Sequence, residues 1–297
     1  MRSLVIGGKG FIGAAIAREL EIQAHEVAVV DREDFDICDF GATLDFMRGL
    51  QFDQVYHMAG VLGTTELNED IADSIRVNVI GAANVMAACL ATKVDVMFYP
   101  SKPNPWLNMY TITKEASEKI GRLYNKDTNL RVVSLRYFNV FGPEQHTHPV
   151  RKLVPTLALC ARYKLPAPIF GDGHSIVDMN DIDTVARVTV LATQMLTGEH
   201  VFDLGTGIGR RVIEVARDIY EIMGVPFVTK HTPMRNGEDE RTVLVADTKG
   251  LTEDLALCGK SFSWADYEDE IQRACEYYFN LPEEVAVAAL KHHGMLK

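Results

Sequence analysis

Two short patterns in this 297-residue chain have the residue types and spacing to do chemistry. The first is Tyr110-Thr111-Ile112-Thr113-Lys114, which sets a phenol and an ammonium four residues apart. On a helix that spacing puts both on one face. A phenol with a pKa of about 10 is a poor base at neutral pH, and a neighbouring ammonium stabilises the phenolate and lowers that value. Alone, such a pair most often marks a solvated helix face. The second pattern is Gly7-Gly8-Lys9-Gly10-Phe11-Ile12-Gly13, which satisfies both GxxGxxG and GxGxxG. Glycines so placed let the chain turn tightly, bring the backbone against a pyrophosphate and seat the next helix on its strand. The N–H groups at the helix start then face the phosphates. Asp31 follows Gly10 by 21 residues, at the end of the second apolar run. A carboxylate there accepts hydrogen bonds from both ribose hydroxyls and repels a 2′-phosphate, which favours NAD over NADP. Arg32, next to it, keeps NADP as the lesser alternative.

These residues need a scaffold, and the hydrophobic pattern supplies one. Apolar runs at Ser3–Ile6, Glu26–Val30, Gln54–Met58, Val94–Tyr99 and Arg131–Phe138 read as strands. Helical spacing fills Phe11 to Leu20 and residues 41–50, 66–92 and 110–126. The alternation predicts an α/β fold: a Rossmann-type doubly wound parallel sheet with helices on both faces. Ligands in such sheets sit beyond the carboxyl ends of the strands, where Gly7–Gly13, Asp31, His57–Gly60, Pro100–Lys102 and Asn139–Pro143 fall. After Pro143 helical segments at 153–163, 181–196 and 210–223 mix with short strands and turns. The expected division is a dinucleotide-binding domain over 1–145, rejoined by about 177–206, and a smaller, irregular substrate domain over 146–297.

Composition narrows the function. Lys and Arg number 30 against 41 Asp and Glu, a net charge of −11, which argues against a general nucleic-acid binder. With 47% hydrophobic and 24% charged residues the chain can build a large core. No uninterrupted apolar stretch reaches the roughly 18 residues of a membrane helix. The most apolar long segment, Val77–Ala91, contains Asn78 and Asn84 and reads as a buried helix, so no membrane partner is expected. The strand and glycine turn at residues 3–13 leave no room for a signal peptide. Five scattered cysteines without a CxxC leave one over in any disulfide set, which points to a reducing cytoplasm. His146, His148 and His174 lack partners at metal-ligand spacing, so no metal is expected; His57 reads as structural and His292-His293 as exposed.

Further segments follow in a fixed order: Asp36-Ile37-Cys38-Asp39, His57-Met58-Ala59-Gly60, Asn78-Val79-Ile80-Gly81, Leu135–Pro143, Ile169–Gly173, Asp178, residues 181–186, Phe202–Gly207 and Arg235-Asn236-Gly237-Glu238. With the glycine turn and the Tyr-Lys pair, they make the sequence resemble, over most of its length, the extended short-chain dehydrogenases/reductases of the NAD-dependent epimerase/dehydratase group. The resemblance implies chemistry on nucleotide-activated sugars. Tyr110 would be the acid/base, and Lys114 would hold the nicotinamide ribose and tune Tyr110. The implied cofactor set is Gly7, Gly10, Phe11, Ile12, Gly13, Asp31, Arg32, Asp36, Ile37, Met58, Ala59, Gly60, Asn78, Tyr110, Lys114, Tyr137, Asn139 and Val140. Asn139, Arg210 and Arg235 would meet the substrate. Relatives pair as homodimers through a four-helix bundle, here expected from the helices at 66–92 and 110–126.

Three departures from the family pattern bear on the mechanism. The family places a Ser or Thr after strand four to bond the reacting oxygen, and alignment puts Lys102 in that slot with Ser101 before it. Either Ser101 serves by a small shift, or the Lys102 ammonium polarises the oxygen, or the step is impaired. Only eight residues separate Ser101 from Tyr110, where the family has a longer, substrate-covering loop. Val177 stands where an Arg often meets substrate phosphates, leaving Arg235 and Arg210/Arg211 as candidates. No Asp-Glu pair follows Ser101, which counts against dehydration. The expectation is an NAD-dependent nucleotide-sugar epimerase. The alternatives are an NAD(P)H-dependent ketosugar reductase and a catalytically impaired dinucleotide-binding sensor or scaffold.

Overall fold

The computed structural model describes residues 1–103 and 105–296. In chain order the elements are β1 (Arg2–Ile6), α1 (Phe11–Ile22), β2 (Glu26–Val30), α2 (Phe40–Leu50), β3 (Gln54–His57), α3 (Glu66–Glu69), α4 (Ile71–Ile75), a π-helical turn (Arg76–Gly81), α5 (Ala82–Ala91), β4 (Val96–Ser101), α6 (Met109–Asp127), β5 (Arg131–Tyr137), β6 (Asn139–Phe141), α7 (Leu153–Arg162), β7 (Ala167–Phe170), β8 (Ile176–Asp181), α8 (Ile182–Met195), β9 (Val201–Leu204), β10 (Gly209–Arg211), α9 (Val212–Ile222), β11 (Thr229–Thr232), β12 (Val243–Leu244), α10 (Lys249–Leu257), α11 (Tyr267–Phe279) and α12 (Glu283–His292). The chain divides into two compact units. Unit 1 is residues 1–137, 183–204 and 247–262; unit 2 is 138–182, 205–246 and 263–297. The first crossing thus falls at 137/138, ahead of the 145 expected from sequence, and the return of 247–262 to unit 1 was not foreseen.

Unit 1 is a six-stranded sheet in the order β2-β1-β3-β4-β5-β9, with every pairing parallel. Both faces are covered, so the inner strands β1, β3 and β4 are buried almost throughout, whereas the edge strand β2 is half exposed. One core packs Leu4, Ile6, Val55, Met97 and Tyr99 against Met47, Val85, Met86 and Cys89; each such apolar side chain contributes about 1.5–3 kcal/mol. Strand order reverses between β1 and β3, which opens a crevice beyond their carboxyl ends.

The helix expected over 66–92 is broken into α3, α4, the π turn and α5. The interruption is at Asp70, where φ of −131° and ψ of 80° leave the helix and the side chain accepts from Asp73 N at 3.0 Å to start α4; the π turn that follows holds Asn78. Its side-chain amide accepts from Val61 N and donates to Val61 O, both at 2.9 Å, and its own carbonyl accepts from Ser117 Oγ at 2.7 Å. These bonds tie the π turn to the 61 loop and to α6. By length and apolarity the 21-residue run Ile71–Ala91 would satisfy the rule for a bilayer-crossing helix, unlike the interrupted apolar stretches seen in the sequence. It packs against α2 and α6 instead, and leaves Ile71, Ile75, Ile80 and Leu90 on an exposed face.

In unit 1, Glu118 is 5% exposed on α6, and its carboxylate accepts from Arg136 Nε at 3.0 Å, Arg136 Nη2 at 2.8 Å and Ser101 Oγ at 2.7 Å. Glu118→Ala would leave the guanidinium and the hydroxyl without their shared acceptor. Because Arg136 is partly solvated, a loss near the low end for a broken buried pair is expected, about 3 kcal/mol. A urea midpoint that falls with an unchanged slope checks it; an unmoved midpoint refutes it.

Unit 2 carries a four-stranded sheet in which β8 pairs with β10, β12 and β6, and a two-stranded β7–β11 ribbon. Asp178 on β8 is fully buried and accepts from Thr206 N, Gly207 N and Ala246 N at 2.9–3.2 Å, as well as from Asn180 Nδ2 at 2.7 Å. That one carboxylate ties three separate segments together. The core packs α7, α9, α11 and α12 around Leu157, Ile219, Cys275 and Tyr278.

Candidate active site

Three glycines shape the crevice of unit 1. Gly7 has φ of +80°, and a Cβ there would lie 2.5 Å from Ala59 N. A Cβ on Gly13 would lie 2.2 Å from Gly7 O. Both closures demand glycine. At Gly10 the nearest atom would be 3.2 Å away, so that position is roomier. Gly10 is also the N-cap of α1 and offers no side-chain bond. The N–H groups of Phe11, Ile12 and Gly13 therefore stand uncapped at the positive end of a 12-residue helix.

Asp31, just past β2, accepts from Arg32 N at 2.8 Å and faces Lys9 N at 3.4 Å. It thus sits beside the glycine turn, with Arg32 exposed next to it. Asp36 is held below the usual carboxylate range by Cys38 N–H, and Arg76 Nη1 reaches it at 3.2 Å. The glycine cradle, the uncapped amides and the carboxylate after β2 fit a dinucleotide: backbone donors for the pyrophosphate and acceptors for the ribose hydroxyls.

Several side chains in the expected cofactor set are spent on the protein. The Asn78 amide clamps the 58–61 loop through Val61 and donates to Thr113 Oγ1 at 3.2 Å, which fixes Met58, Ala59 and Gly60 against Gly7. The Ile37 side chain is buried against Gly81. The Tyr137 hydroxyl bonds Thr189 at 2.7 Å within the core. Asn139 and Val140 belong to unit 2.

α6 starts at a fixed phase because Asn108 Oδ1 accepts from Thr111 N and Asn68 Oδ1 from Met109 N, both at 2.9 Å. Tyr110 therefore falls in the first turn and Lys114 one turn on. The two do not form the simple pair read from sequence. Lys114 is buried, its Nζ donates to Pro100 O at 3.1 Å, and it lies 4.6 Å from the Tyr99 ring centroid. Burial, reinforced by the charge of Lys102, pushes the Lys114 ammonium down to about 7. Tyr110 is half-buried, and burial pushes its phenol up to about 12. The lowered phenol pKa expected from Lys114 is thus reversed, because burial raises it.

The cation beside Tyr110 is Lys102, with Nζ over the Tyr110 ring at 4.9 Å and over the Trp106 ring at 5.2 Å. The Ser101 hydroxyl is engaged by Glu118, whereas the Lys102 ammonium lies over the Tyr110 ring. His57 is buried with its ring near that of Tyr99, and burial pushes it down to about 3, so it is a neutral imidazole. Among the described residues no three His, Cys, Asp or Glu side chains converge as a metal site would require.

In unit 2 Arg210 stacks on Tyr267 at 3.6 Å, Arg211 pairs with Glu214 at 3.5 Å, and Arg235 pairs with Glu238 at 2.6 Å. Val177 is buried in the core. Sequence reasoning missed Arg151, which lies over Phe170 at 4.9 Å. It stands in no motif, and its placement depends on contacts far along the chain.

The model of the NAD dependent epimerase/dehydratase family matches residues 3–205. A trifunctional UDP-glucose 4,6-dehydratase/UDP-4-keto-6-deoxy-D-glucose 3,5-epimerase/UDP-4-keto-L-rhamnose-reductase of Arabidopsis thaliana is 31% identical over 194 residues, 64% of this chain; the match spans 28% of that relative's length. A UDP-glucose 4-epimerase of Lactobacillus helveticus is 25% identical over 95% of this chain and 98% of its own. The crystal structure of a Thermus thermophilus UDP-glucose 4-epimerase in complex with NAD superposes with a TM-score of 0.83 at 26% identity, covering 95% of this chain and 100% of that one.

Proposed function

The chain belongs to the NAD-dependent epimerase/dehydratase family, and from that premise we propose that it is a nucleotide-sugar epimerase, oxidising one sugar carbon transiently and re-reducing the ketone. The observation that carries the reading is the placement of Tyr110, in the first turn of α6, under the Lys102 ammonium just past β4, in the same unit as the glycine cradle and Asp31. The cradle and Asp31 would hold NAD, which would supply the hydride chemistry when bound. The chain's residues handle the proton. Tyr110 takes it from the sugar hydroxyl and returns it after re-reduction. The Lys102 ammonium stabilises negative charge on the phenolic and sugar oxygens. Lys114, one turn on, supports the nicotinamide side and is itself held by Pro100 O. UDP- and dTDP-linked sugars are the first substrates to try, given the names of the relatives.

The test is incubation of UDP- and dTDP-hexoses with the purified chain and trace NAD. Appearance of an epimer without net NADH, and tighter binding of NAD than of NADP, support the reading. Stoichiometric consumption of NAD(P)H by a ketosugar would make it a reductase. Bound NAD with no conversion of any sugar nucleotide would make it a binding module.

The exposed apolar residues of the 71–91 run, together with Ile112 (43% exposed) and Leu123 (55%) on α6, support a homodimer through a four-helix bundle. Light scattering at micromolar concentration should give twice the 33.1 kDa chain mass, and Leu123→Glu should shift it toward the monomer. A monomeric wild type would sink the idea. The five cysteines are all unpaired, which supports a reducing compartment, the cytoplasm.

A further inference from the structure

The connection from β4 to α6 carries an indole that no step above uses. Trp106 is half-buried there, while its neighbour Leu107 is 87% exposed. The Lys102 ammonium lies 5.2 Å from the centroid of the Trp106 ring and 4.9 Å from that of the Tyr110 ring. Both distances fall within the roughly 6 Å over which a ring face attracts a cation, and indole attracts most strongly of the aromatic side chains. The ammonium is thus shared by two rings, one from the connection and one from the first turn of α6.

A lysine in this place needs such a hold. Its four-carbon stem is flexible, and its ammonium is strongly hydrated and drawn towards water. A second cation is close: Lys114, whose Nζ donates to Pro100 O at 3.1 Å, feels the Lys102 charge. Like charges repel, so attraction must offset both hydration and that repulsion to keep the ammonium over Tyr110. Tyr110 supplies one ring and Trp106 the second. The indole is attached close to fixed points of the chain. Pro105, immediately before it, has a restricted φ. Asn108, two residues on, is 3% exposed and caps α6 by accepting from Thr111 N at 2.9 Å.

We propose that Trp106 is a positioning residue: its indole holds the Lys102 ammonium over Tyr110, where the charge can act on the phenolic and sugar oxygens. For its effect on turnover the inference rests on the epimerase reading, to which it adds Trp106. A charge already in place stabilises a transition state without reorganising. Loss of the hold should therefore lower kcat, but by less than loss of Lys102 itself.

Fluorescence tests the hold and turnover tests its consequence. Trp106 and Trp264 are the two tryptophans of the chain, so Trp264→Phe leaves Trp106 as the only indole. In that background Lys102→Met removes the charge and keeps the stem. A cation beside an indole shifts its emission, so the maximum and yield of Trp106 fluorescence should change; unchanged emission overturns the proposal. Trp106→Leu should lower kcat by about 3- to 30-fold, the loss of one cation–π contact, with NAD affinity within a few-fold of wild type. Trp106→Phe keeps a ring and should recover part of the loss. In the Lys102→Met chain, Trp106→Leu should cost nothing further, because the hold acts through the ammonium. An equal loss with and without that ammonium, or wild-type kcat in the folded Trp106→Leu enzyme, overturns the proposal. If Trp106→Leu fails to fold, the emission test decides, since it leaves Trp106 in place. The two readings fail separately. Emission that answers to Lys102 in a chain that converts no sugar nucleotide removes the epimerase and keeps the hold; full epimerisation by Trp106→Leu does the reverse.

Discussion

Tyr110→Phe is expected to lower turnover by a factor on the order of 10²–10⁴, the contribution of a lost acid/base, while NAD affinity stays within a few-fold of wild type. The substitution removes one oxygen, and that hydroxyl makes no hydrogen bond within the described residues, so packing is left intact. The size of the effect follows from the phenol's environment. With burial raising Tyr110 to about 12, almost none is ionised at neutral pH in the unliganded chain. The proton must therefore move during the reaction, assisted by charge close to the oxygen. Steady-state turnover and NAD titration on the same preparation check both halves. Full activity in Tyr110→Phe would mean that another group carries the proton.

Lys102→Ala should lower turnover by about 10²-fold, the scale of one preorganised electrostatic contact to developing charge. Its second effect has a definite sign. The Lys102 charge is one of the two causes that push the Lys114 ammonium down to about 7. With Lys102 gone, Lys114 holds its proton to higher pH, so any limb of the pH–rate profile that reports its deprotonation moves to the alkaline side. Ser101→Ala is the matched control. Its hydroxyl is bonded to Glu118, so it should cost stability and leave kcat near wild type. A Ser101→Ala enzyme that folds normally and loses turnover, beside an active Lys102→Ala enzyme, would reverse the two roles.

Much of this was legible in the sequence because it depends on neighbours along the chain. The glycine turn is seven contiguous residues whose spacing is set by backbone geometry, and Gly7 and Gly13 meet the contacts that exclude a Cβ. The strand–helix alternation through Tyr137 fixed a parallel sheet, since parallel strands need crossover helices. The Tyr110–Lys114 spacing put both on one helix, correctly phased by the Asn108 cap.

What tertiary structure decided was direction and partnership. Ser101 and Lys102 are adjacent in sequence, but only the packing of α6 determines that Glu118 takes the hydroxyl and that the ammonium lies over Tyr110. The Tyr110 and Lys114 shifts run against the pairwise expectation because burial, a property of the whole fold, outweighs one nearby charge. Asn78 carried a family motif, yet its amide is consumed by Val61 and Thr113, contacts that no local pattern encodes. Arg151, Phe170 and Arg235 belong to three segments remote from one another in sequence. Their convergence on one ring follows from how β7, the start of α7 and the turn after β11 pack, so the cation pair exists only once the chain has folded.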